Sequence, residues 1–521
     1  MKKLPIGIQA FEIMRTQDYL YVDKTRHVHQ LVDEGMFYFM ARPRRFGKSL
    51  LVSTLKCLFQ GRRELFEGLW IAEHSDWEWK THPVVVIDFN EIAHETPDNL
   101  RLALTAYLRK IAHEFQITLD SPLLVSQFRD LINEIYRATG ARVAVLIDEY
   151  DKPIIDHLGS GEKGLEIARA NRDILRTFFG VLKGATVSVA LRFVFLTGVS
   201  RFSRVSIFSQ LNNLNDISMH QDYAAMLGYT REELNVYFSD YLRRLAVKLG
   251  MRDVMTALAR QYDGYRFSEN DTRVYNPFST LNAFNHRQFK NYWFETGTPT
   301  FLVDLLKQEQ YDLPQLEGLE VSRSVFSTFD IDRLFPEALL LQTGYLTITD
   351  VEDEIYTLNY PNREVKISFI ESLLLATEGV EKQTSSHVLR LSRYLQREEM
   401  DAFFETVTAI FASIPYDINT RRDEAYFHTI FYLLMSASGG AAQSSVLTSR
   451  GRIDLVVTFP DCVYIIEFKC NQSAKSAIQQ IREKGYAKSY RQSGKEIILV
   501  GINFSTEKRN LEEWKVERMS E

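Results

Sequence analysis

Cysteine is scarce in this chain. Cys57, Cys462 and Cys470 are the three in 521 residues, too few and too scattered for a disulfide framework or a zinc cluster. Long hydrophobic runs are missing too: no stretch reaches the roughly 20 apolar residues that a membrane-spanning helix needs. The start, Met1-Lys2-Lys3-Leu4-Pro5, lacks the apolar core of a secretory signal. A cytoplasmic protein that does not enter membranes is therefore expected. Nor is there an excess of positive charge. Lys and Arg number 62 against 68 Asp and Glu, for a net charge of −6, which argues against a whole-surface nucleic-acid binder. Contact with a polyanion must come from a local patch. Lys469, Lys475, Arg482, Lys484, Lys488, Arg491 and Lys495 supply one, unless they form no more than a solvated helix face. What is present is ordinary globular composition, 45% hydrophobic and 25% charged, and a length that predicts about three or four domains.

Over the first ~210 residues, compact apolar runs alternate with longer helical patterns, which predicts an α/β fold with a mainly parallel sheet. The strand candidates are Met36–Ala41, Val84–Asp88, Val143–Asp148 and Arg192–Thr197. Behind the first comes Arg42-Pro43-Arg44-Arg45-Phe46-Gly47-Lys48-Ser49, then a helix opening at Leu50. Gly47-Lys48-Ser49 between a buried strand and a helix reads as the end of a P-loop. Gly47 lets backbone amides approach phosphate, Lys48 reaches the β- and γ-phosphates, and the Ser49 hydroxyl ligates magnesium. The first glycine of the usual pattern is missing, and Arg42 stands in its place. Arg44 and Arg45 either help to bind the anion or are solvated loop charges. The second half of such a site is an apolar strand ending in carboxylates. Val143–Asp148 fits: Asp148 would hold magnesium, usually through water, and Glu149 would polarise the attacking water. At the end of the last strand, Thr197 or Ser200 would read the γ-phosphate. Arg201 and Arg204 are either charge stabilisers or structural ion-pair partners.

From about Asp222 to Asp263 the pattern is helical, with Thr230 and Glu233 as a capping box, and helices are expected to continue through Leu341. Then follow Gly344–Ile348, a polar turn over Asp350–Glu354, and Ile355–Leu358: helix, then hairpin, as in a winged helix. A second helical stretch runs to about Ile414, and the last ~110 residues read as a separate α/β unit. Within it, Ile453-Asp454-Leu455 and Ile466-Glu467-Phe468-Lys469 flank Pro460-Asp461, the pattern of a β-hairpin. An even-numbered loop centred between Pro460 and Asp461 sets Asp454 directly opposite Glu467, with Lys469 on the same face. Val456, Val463 and Ile465 fill the rest of that face, which suggests a cleft. Facing carboxylates repel across a ladder. A divalent cation beside a lysine resolves the conflict, and those are the parts that phosphodiester hydrolysis needs; the bland alternative is surface salt bridging.

Tyr21–Thr25, Arg42–Ser49, Leu146–Asp151, Thr197–Ser203, Tyr262–Phe267, Gly451–Asp454 and Tyr464–Lys469 cover nearly the whole chain. In this order they resemble the bacterial and archaeal AAA-ATPase-like family that carries a C-terminal PD-(D/E)XK nuclease-superfamily domain. Arg42 in place of glycine matches that family's own pattern. Pattern and resemblance together imply a multidomain α/β protein. Its expected parts are a P-loop ATPase domain with a doubly wound, mainly parallel sheet over 1–215, a helical lid region over 216–300, a helical region with a winged helix over 301–410, and a restriction-endonuclease-like domain over 411–521. The implied cofactors are ATP and Mg²⁺ or Mn²⁺. The resemblance implies that Asp454 and Glu467 bind the metal together with a backbone carbonyl near Phe468. Lys469 would orient or help deprotonate the attacking water. Glu424, one helical turn before His428, resembles an additional acidic ligand, and Gln480 resembles the superfamily's helical glutamine. Lys484 and Tyr486 would contact backbone phosphates. The expectation is an ATP-hydrolysing protein coupled to a metal-dependent nuclease, with nucleic acid, DNA first, as partner. An arginine acting across a subunit boundary would require a homo-oligomer. The competing expectation is a nucleotide-dependent switch whose nuclease-like domain only binds a nucleic-acid or protein partner.

Overall fold

A computed structural model describes residues 1–201, 211, 213–293, 302–303, 305–306, 311, 313–326, 335–376, 384–412, 424–438, 441–448 and 450–519. Two compact units emerge, one made of 1–305 with 320–364 and the other of 306–319 with 365–521. The borders expected at 215, 300 and 410 do not coincide with this division. The helix–hairpin element falls in the first unit, and the helices between 365 and 410 fall with the C-terminal sheet.

The first unit is built on five strands: β1 (Phe37–Ala41), β2 (Val84–Asp88), β3 (Val143–Asp148), β4 (Leu191–Gly198) and β5 (Asn215–Asp216). Their order is β2-β3-β4-β1-β5, and every pairing is parallel. Strands covered on both faces read as continuous apolar runs rather than alternating ones; all six residues of β3 are buried. Because the sheet is parallel, the loops after β1, β3 and β4 open on one edge, where open α/β sheets place their ligands. β4 separates β1 from β3. The glycine-lysine-serine loop and the acidic strand end therefore face each other across the tip of β4.

The capping box forms as expected: Glu233 N donates to Thr230 Oγ1 at 3.2 Å, and Thr230 N donates to Glu233 Oε2 at 2.8 Å. It opens the helix Arg231–Tyr237, followed by Ser239–Leu249 and Val254–Tyr262. An unbroken run of helices to Leu341 does not follow. β6 (Tyr265–Arg266) and β7 (Arg273–Val274) form a hairpin, β8 (Leu319–Ser322) is a further strand, and Pro277–His286 is helical. The intervening Ser268-Glu269-Asn270-Asp271 are turn-forming residues between aromatic and β-branched ones, which favours strands over helix. Leu20 and Val22 share a buried cluster with Leu234, Leu242, Leu258 and Phe284 of these helices.

The helix Pro336–Thr343 ends at Gly344, φ 87, and leads into β9 (Thr347–Glu352) and β10 (Ile355–Asn359). With β8 they form a sheet of order β8-β10-β9. The turn is tighter than Asp350–Glu354: Asp350 and Val351 are paired, and only Asp353 and Glu354 turn, with φ of 46 and 66. Two left-handed residues match the twist of a hairpin.

The second unit carries β11 (Ala441–Thr448), β12 (Gly451–Thr458), β13 (Cys462–Cys470), β14 (Glu496–Ser505) and β15 (Asn510–Arg518), paired in that order. Only β13 and β14 are parallel, so a crossover must link them. The helix Ala474–Lys484 supplies it and packs on both. Gly501 in β14 permits the fit, because a Cβ there would lie 2.3 Å from the Ala474 carbonyl oxygen. Among the described residues, no helix is long and apolar enough to cross a membrane.

Candidate functional site

The loop after β1 hands the chain to the helix Lys48–Phe59 through Gly47, whose φ of 97 is a left-handed conformation that glycine adopts without strain. Lys48 is only 4% exposed. Its Nζ lies 3.2 Å from the Arg42 carbonyl, 3.3 Å from that of Pro43 and 3.4 Å from the Glu149 carboxylate. Burial pushes Asp148 up to about 6, and the neighbouring Ser49 hydroxyl opposes the shift. The two groups expected to hold magnesium are therefore neighbours. Glu149 sits at φ 51, and its amide donates to Asp148 Oδ1 at 3.0 Å. Such a left-handed residue at a strand end points its side chain away from the strand direction, here toward Lys48.

Arg42 explains the missing glycine. Its side chain turns inward, 1% exposed, and donates to the carbonyls of Ala41 at 2.9 Å, Ser218 at 2.6 Å and Tyr223 at 3.2 Å. The guanidinium also lies 4.3 Å from the centre of the Phe267 ring. Arginine here latches the loop to the segment after β5, while its backbone carbonyl faces Lys48. Restoring glycine with Arg42→Gly is expected to weaken the fold, not to improve the loop. Three buried carbonyls lose their partner, at a cost on the order of 3 kcal/mol, read as a lower thermal midpoint. A variant at least as stable as the parent would contradict the latch.

A cavity of about 420 Å³ opens over this loop. Arg44, Arg45, Gly47, Lys48, Ser49 and Glu149 line it, while the buried Asp148 does not; Arg45 packs over the Phe278 ring at 4.9 Å, and the Arg44 carbonyl accepts from Trp293 Nε1 at 3.1 Å. Sequence reasoning did not foresee the rest of the wall: the segment 5–9, Lys24, Asn90, Asp151, Lys152, the segment 226–229 and Phe278. One signal was available. Lys24, within the quoted Tyr21–Thr25, forms a half-buried ion pair with Glu233 at 2.6 Å, and so ties this wall to the capped helix. Thr197 and Arg201 are not among the lining residues. The Thr197 hydroxyl donates to the Met40 carbonyl at 2.8 Å, inside the sheet. Arg201 grips Asp216 at 2.6 Å, the ion-pair alternative. Arg204 lies outside the described residues.

In the second unit, β12 pairs with β13 through Leu455↔Ile466, Val456↔Ile465, Val457↔Tyr464 and Thr458↔Val463. Each pair is equidistant from the point between Pro460 and Asp461. Asp454 and Glu467 come one step beyond Leu455↔Ile466, the pair farthest from the turn, where the Asp454 carboxylate replaces the ladder and accepts from the Phe468 amide at 2.9 Å. Glu467 is 1% exposed. Burial, and then the charge of Asp454, push its carboxyl up to about 8. Lys469 Nζ lies 3.5 Å from Glu467 Oε1 and donates to the Phe468 carbonyl at 2.9 Å. Gln480, from the crossover helix, donates to Glu467 Oε1. The other oxygen, Oε2, is buried without a hydrogen-bond partner.

Asp454, Glu467, Lys469 and Gln480 are thus brought together. Glu424 opens the helix Glu424–Ala437 and is exposed. Among the described residues, no three His, Cys, Asp or Glu side chains gather as metal ligands, so Glu424 does not complete a triad with Asp454 and Glu467. His428 supports the site from behind, with Nε2 2.9 Å from the Asp454 carbonyl. Tyr486 is 2% exposed, and a Cβ on Gly451 would come within 2.9 Å of its hydroxyl. It is part of the core beside Gln480 rather than a phosphate contact. Lys484 is exposed.

Both donor sets suit the groups they imply. A buried lysine, a glycine-led helix start and a neighbouring serine–aspartate pair fit a nucleotide triphosphate with Mg²⁺. A buried carboxylate oxygen without a partner, a second carboxylate 13 residues earlier in the chain and a carbonyl at Phe468 fit a hard divalent cation. Fold and sites define a P-loop NTPase fold joined to an α/β unit of the restriction-endonuclease type. A family model described as a predicted AAA-ATPase matches residues 5–208, and one for the PD-(D/E)XK nuclease superfamily matches 422–514. The chain is also 40% identical over 530 residues, 99% of each chain, to a protein of Azotobacter chroococcum mcd 1 described as an uncharacterized protein in the vnfD 5′ region. The chain belongs to the AAA-ATPase-like family and carries a PD-(D/E)XK nuclease-superfamily domain toward its C-terminal end.

Proposed function

We propose that this protein binds and hydrolyses ATP in its first unit and cleaves nucleic-acid phosphodiesters, DNA first, in its second. The observation that carries the nuclease reading is Glu467. A carboxylate buried to 1% with one unpartnered oxygen is costly unless a cation or proton neutralises it. Lys469 holds its ammonium between Glu467 and the Phe468 carbonyl, a position from which it can orient a water and offset charge that develops on phosphate oxygens. Gln480 fixes Glu467 Oε1, so that Oε2 is left to face the ligand. A divalent cation, when bound, would polarise the phosphoryl oxygen and lower the pKa of a bound water. In the first unit, Lys48 would meet the β- and γ-phosphates, Ser49 and Asp148 would hold Mg²⁺, and Glu149 would accept a proton from the attacking water.

The test is the purified full chain with labelled single- and double-stranded DNA and RNA, with and without ATP and Mg²⁺ or Mn²⁺. Cleavage by the parent and a loss on the order of 10²–10³ in Lys469→Ala are expected. No cleavage of any substrate, or cleavage unaffected in Lys469→Ala, overturns the nuclease reading and leaves the nucleotide-dependent switch as the alternative.

A further inference from the structure

Asp151 lies just past the acidic end of β3, and no role for it follows from the P-loop pattern. It is fully buried and lines the nucleotide cavity. Its Oδ2 accepts three hydrogen bonds, from Val199 N at 3.0 Å, Ser200 N at 2.6 Å and Ser200 Oγ at 2.6 Å. Its Oδ1 has no hydrogen-bond partner. Tyr150 adds a fourth tie, its hydroxyl donating to the Ser200 carbonyl at 2.9 Å. Two consecutive residues after the acidic strand thus hold the chain as it leaves β4. Gly198 is required for this closeness, since a Cβ there would lie 2.4 Å from Asp151 Oδ1 and 2.7 Å from Tyr150 Cδ1.

One residue further on, the Arg201 amide donates to Gln342 Oε1 at 2.8 Å. Gln342 belongs to the helix Pro336–Thr343, which turns at Gly344 into the hairpin β9–β10. The same turn rests on the phosphate loop. A Cβ on Gly344 would be 2.8 Å from the Pro43 side chain, and the Pro43 carbonyl is one of those that Lys48 meets. Next to it, the Tyr345 ring lies 5.1 Å from that of Trp293, whose Nε1 holds the Arg44 carbonyl. The helix–hairpin element is therefore seated on two parts of the cavity at once: the phosphate loop, and the tip of β4 that Asp151 holds.

We propose that Asp151 is a positioning residue that carries the nucleotide state of the cavity, through Val199 and Ser200, to Gln342 and the helix–hairpin element. The inference rests on the reading that the cavity binds ATP. Lys48 is shared between Glu149, at 3.4 Å, and the electrostatic surroundings of Asp151, on which both Lys48 and Glu149 act. A γ-phosphate draws Lys48 to itself. Asp151 then loses part of its countercharge, and its hold on the two amides and the Ser200 hydroxyl has a different free energy in the loaded and empty states. That difference is what a ligand needs in order to shift a conformational equilibrium. A glutamine acceptor on the far side makes the link directional but replaceable.

The experiment is hydrogen exchange of the full chain, followed over Thr347–Asn359, with and without a non-hydrolysable ATP analogue whose binding is titrated separately. In the parent, the analogue is expected to change exchange in the hairpin by about fivefold or more. Asp151→Asn keeps the size of the side chain but removes its charge and one acceptor. Gln342→Ala removes the half-buried acceptor without touching the cavity. Both are expected to bring the exchange response below about twofold; in Gln342→Ala, which lies outside the cavity wall, analogue affinity stays within about fivefold of the parent. Should Asp151→Asn fail to fold, Gln342→Ala decides. A parent that binds the analogue with no exchange response, or variants that respond like the parent, overturns the inference alone. A parent that does not bind the analogue overturns the ATP reading, and the inference with it.

Discussion

Lys48→Ala is expected to lower ATP turnover by on the order of 10²–10³, comparable to removing a preorganised donor from a charged transition state. The reason lies in its surroundings. The ammonium is 4% exposed and meets two loop carbonyls and one carboxylate. It therefore waits beside the phosphate loop as a largely desolvated charge, and a γ-phosphate has only to draw it from these resting partners. The stability cost is small by comparison. Glu149, its only acidic partner among the described residues, keeps 20% of its side chain in solvent and can hydrate when the lysine is gone, and the loop stays latched by Arg42. The substitution therefore separates function from folding: turnover falls while the thermal midpoint stays within a few degrees. Turnover by Lys48→Ala equal to that of the parent would remove the ATPase reading, whatever happens to the nuclease.

The features legible in the sequence were those set by neighbours in the chain. Gly47-Lys48-Ser49 needs only a strand before it and a helix after it, and both are local patterns. The register of β12 on β13 needs only a short loop and the two-residue period of a strand, and every pair from Leu455↔Ile466 to Thr458↔Val463 keeps the distance to the turn that parity demands. What stayed hidden depends on distant partners. Arg42 looks like a defect in a glycine-rich loop until the carbonyls of Ser218 and Tyr223, 176 and 181 residues away, come to meet it. Thr197 sits at the end of an apolar strand, where a hydroxyl suggests a phosphate sensor. Its neighbour in the sheet, Met40, offers a carbonyl first. Tyr486 follows a helix rich in lysine and so looks exposed, yet it closes the core over β12. The border of the second unit near 365 leaves no mark because it falls within the first turn of a single helix, Arg363–Ala376.

With divalent cations chelated, the second unit is expected to lose stability as pH rises from about 5 to above 8. Burial and the Asp454 charge raise the Glu467 carboxyl from 4.5 to about 8. The folded form thus binds the Glu467 proton more tightly than the unfolded form does. The stability linked to that proton is fully present below about 4.5 and is lost as pH climbs through about 8, with a slope of up to about 1.4 kcal/mol per pH unit. A cation at Oε2 and Asp454 stabilises the ionised carboxylate and must displace the proton. Added Mn²⁺ or Mg²⁺ should therefore raise the thermal midpoint strongly at pH 8 and little at pH 5, and binding at pH 7 should release about one proton. Thermal scans across pH, with chelator or with cation, measure the first effect; calorimetric titration in two buffers of different ionisation enthalpy measures the second. Glu467→Gln keeps the shape and the bond to Gln480's side of the site but has no proton to lose, so both the pH slope and the cation response should disappear. A midpoint that rises with pH in chelator, or a cation response that survives in Glu467→Gln, would take Glu467 out of the metal site and leave Lys469 without the reaction that its position between Glu467 and Phe468 suits.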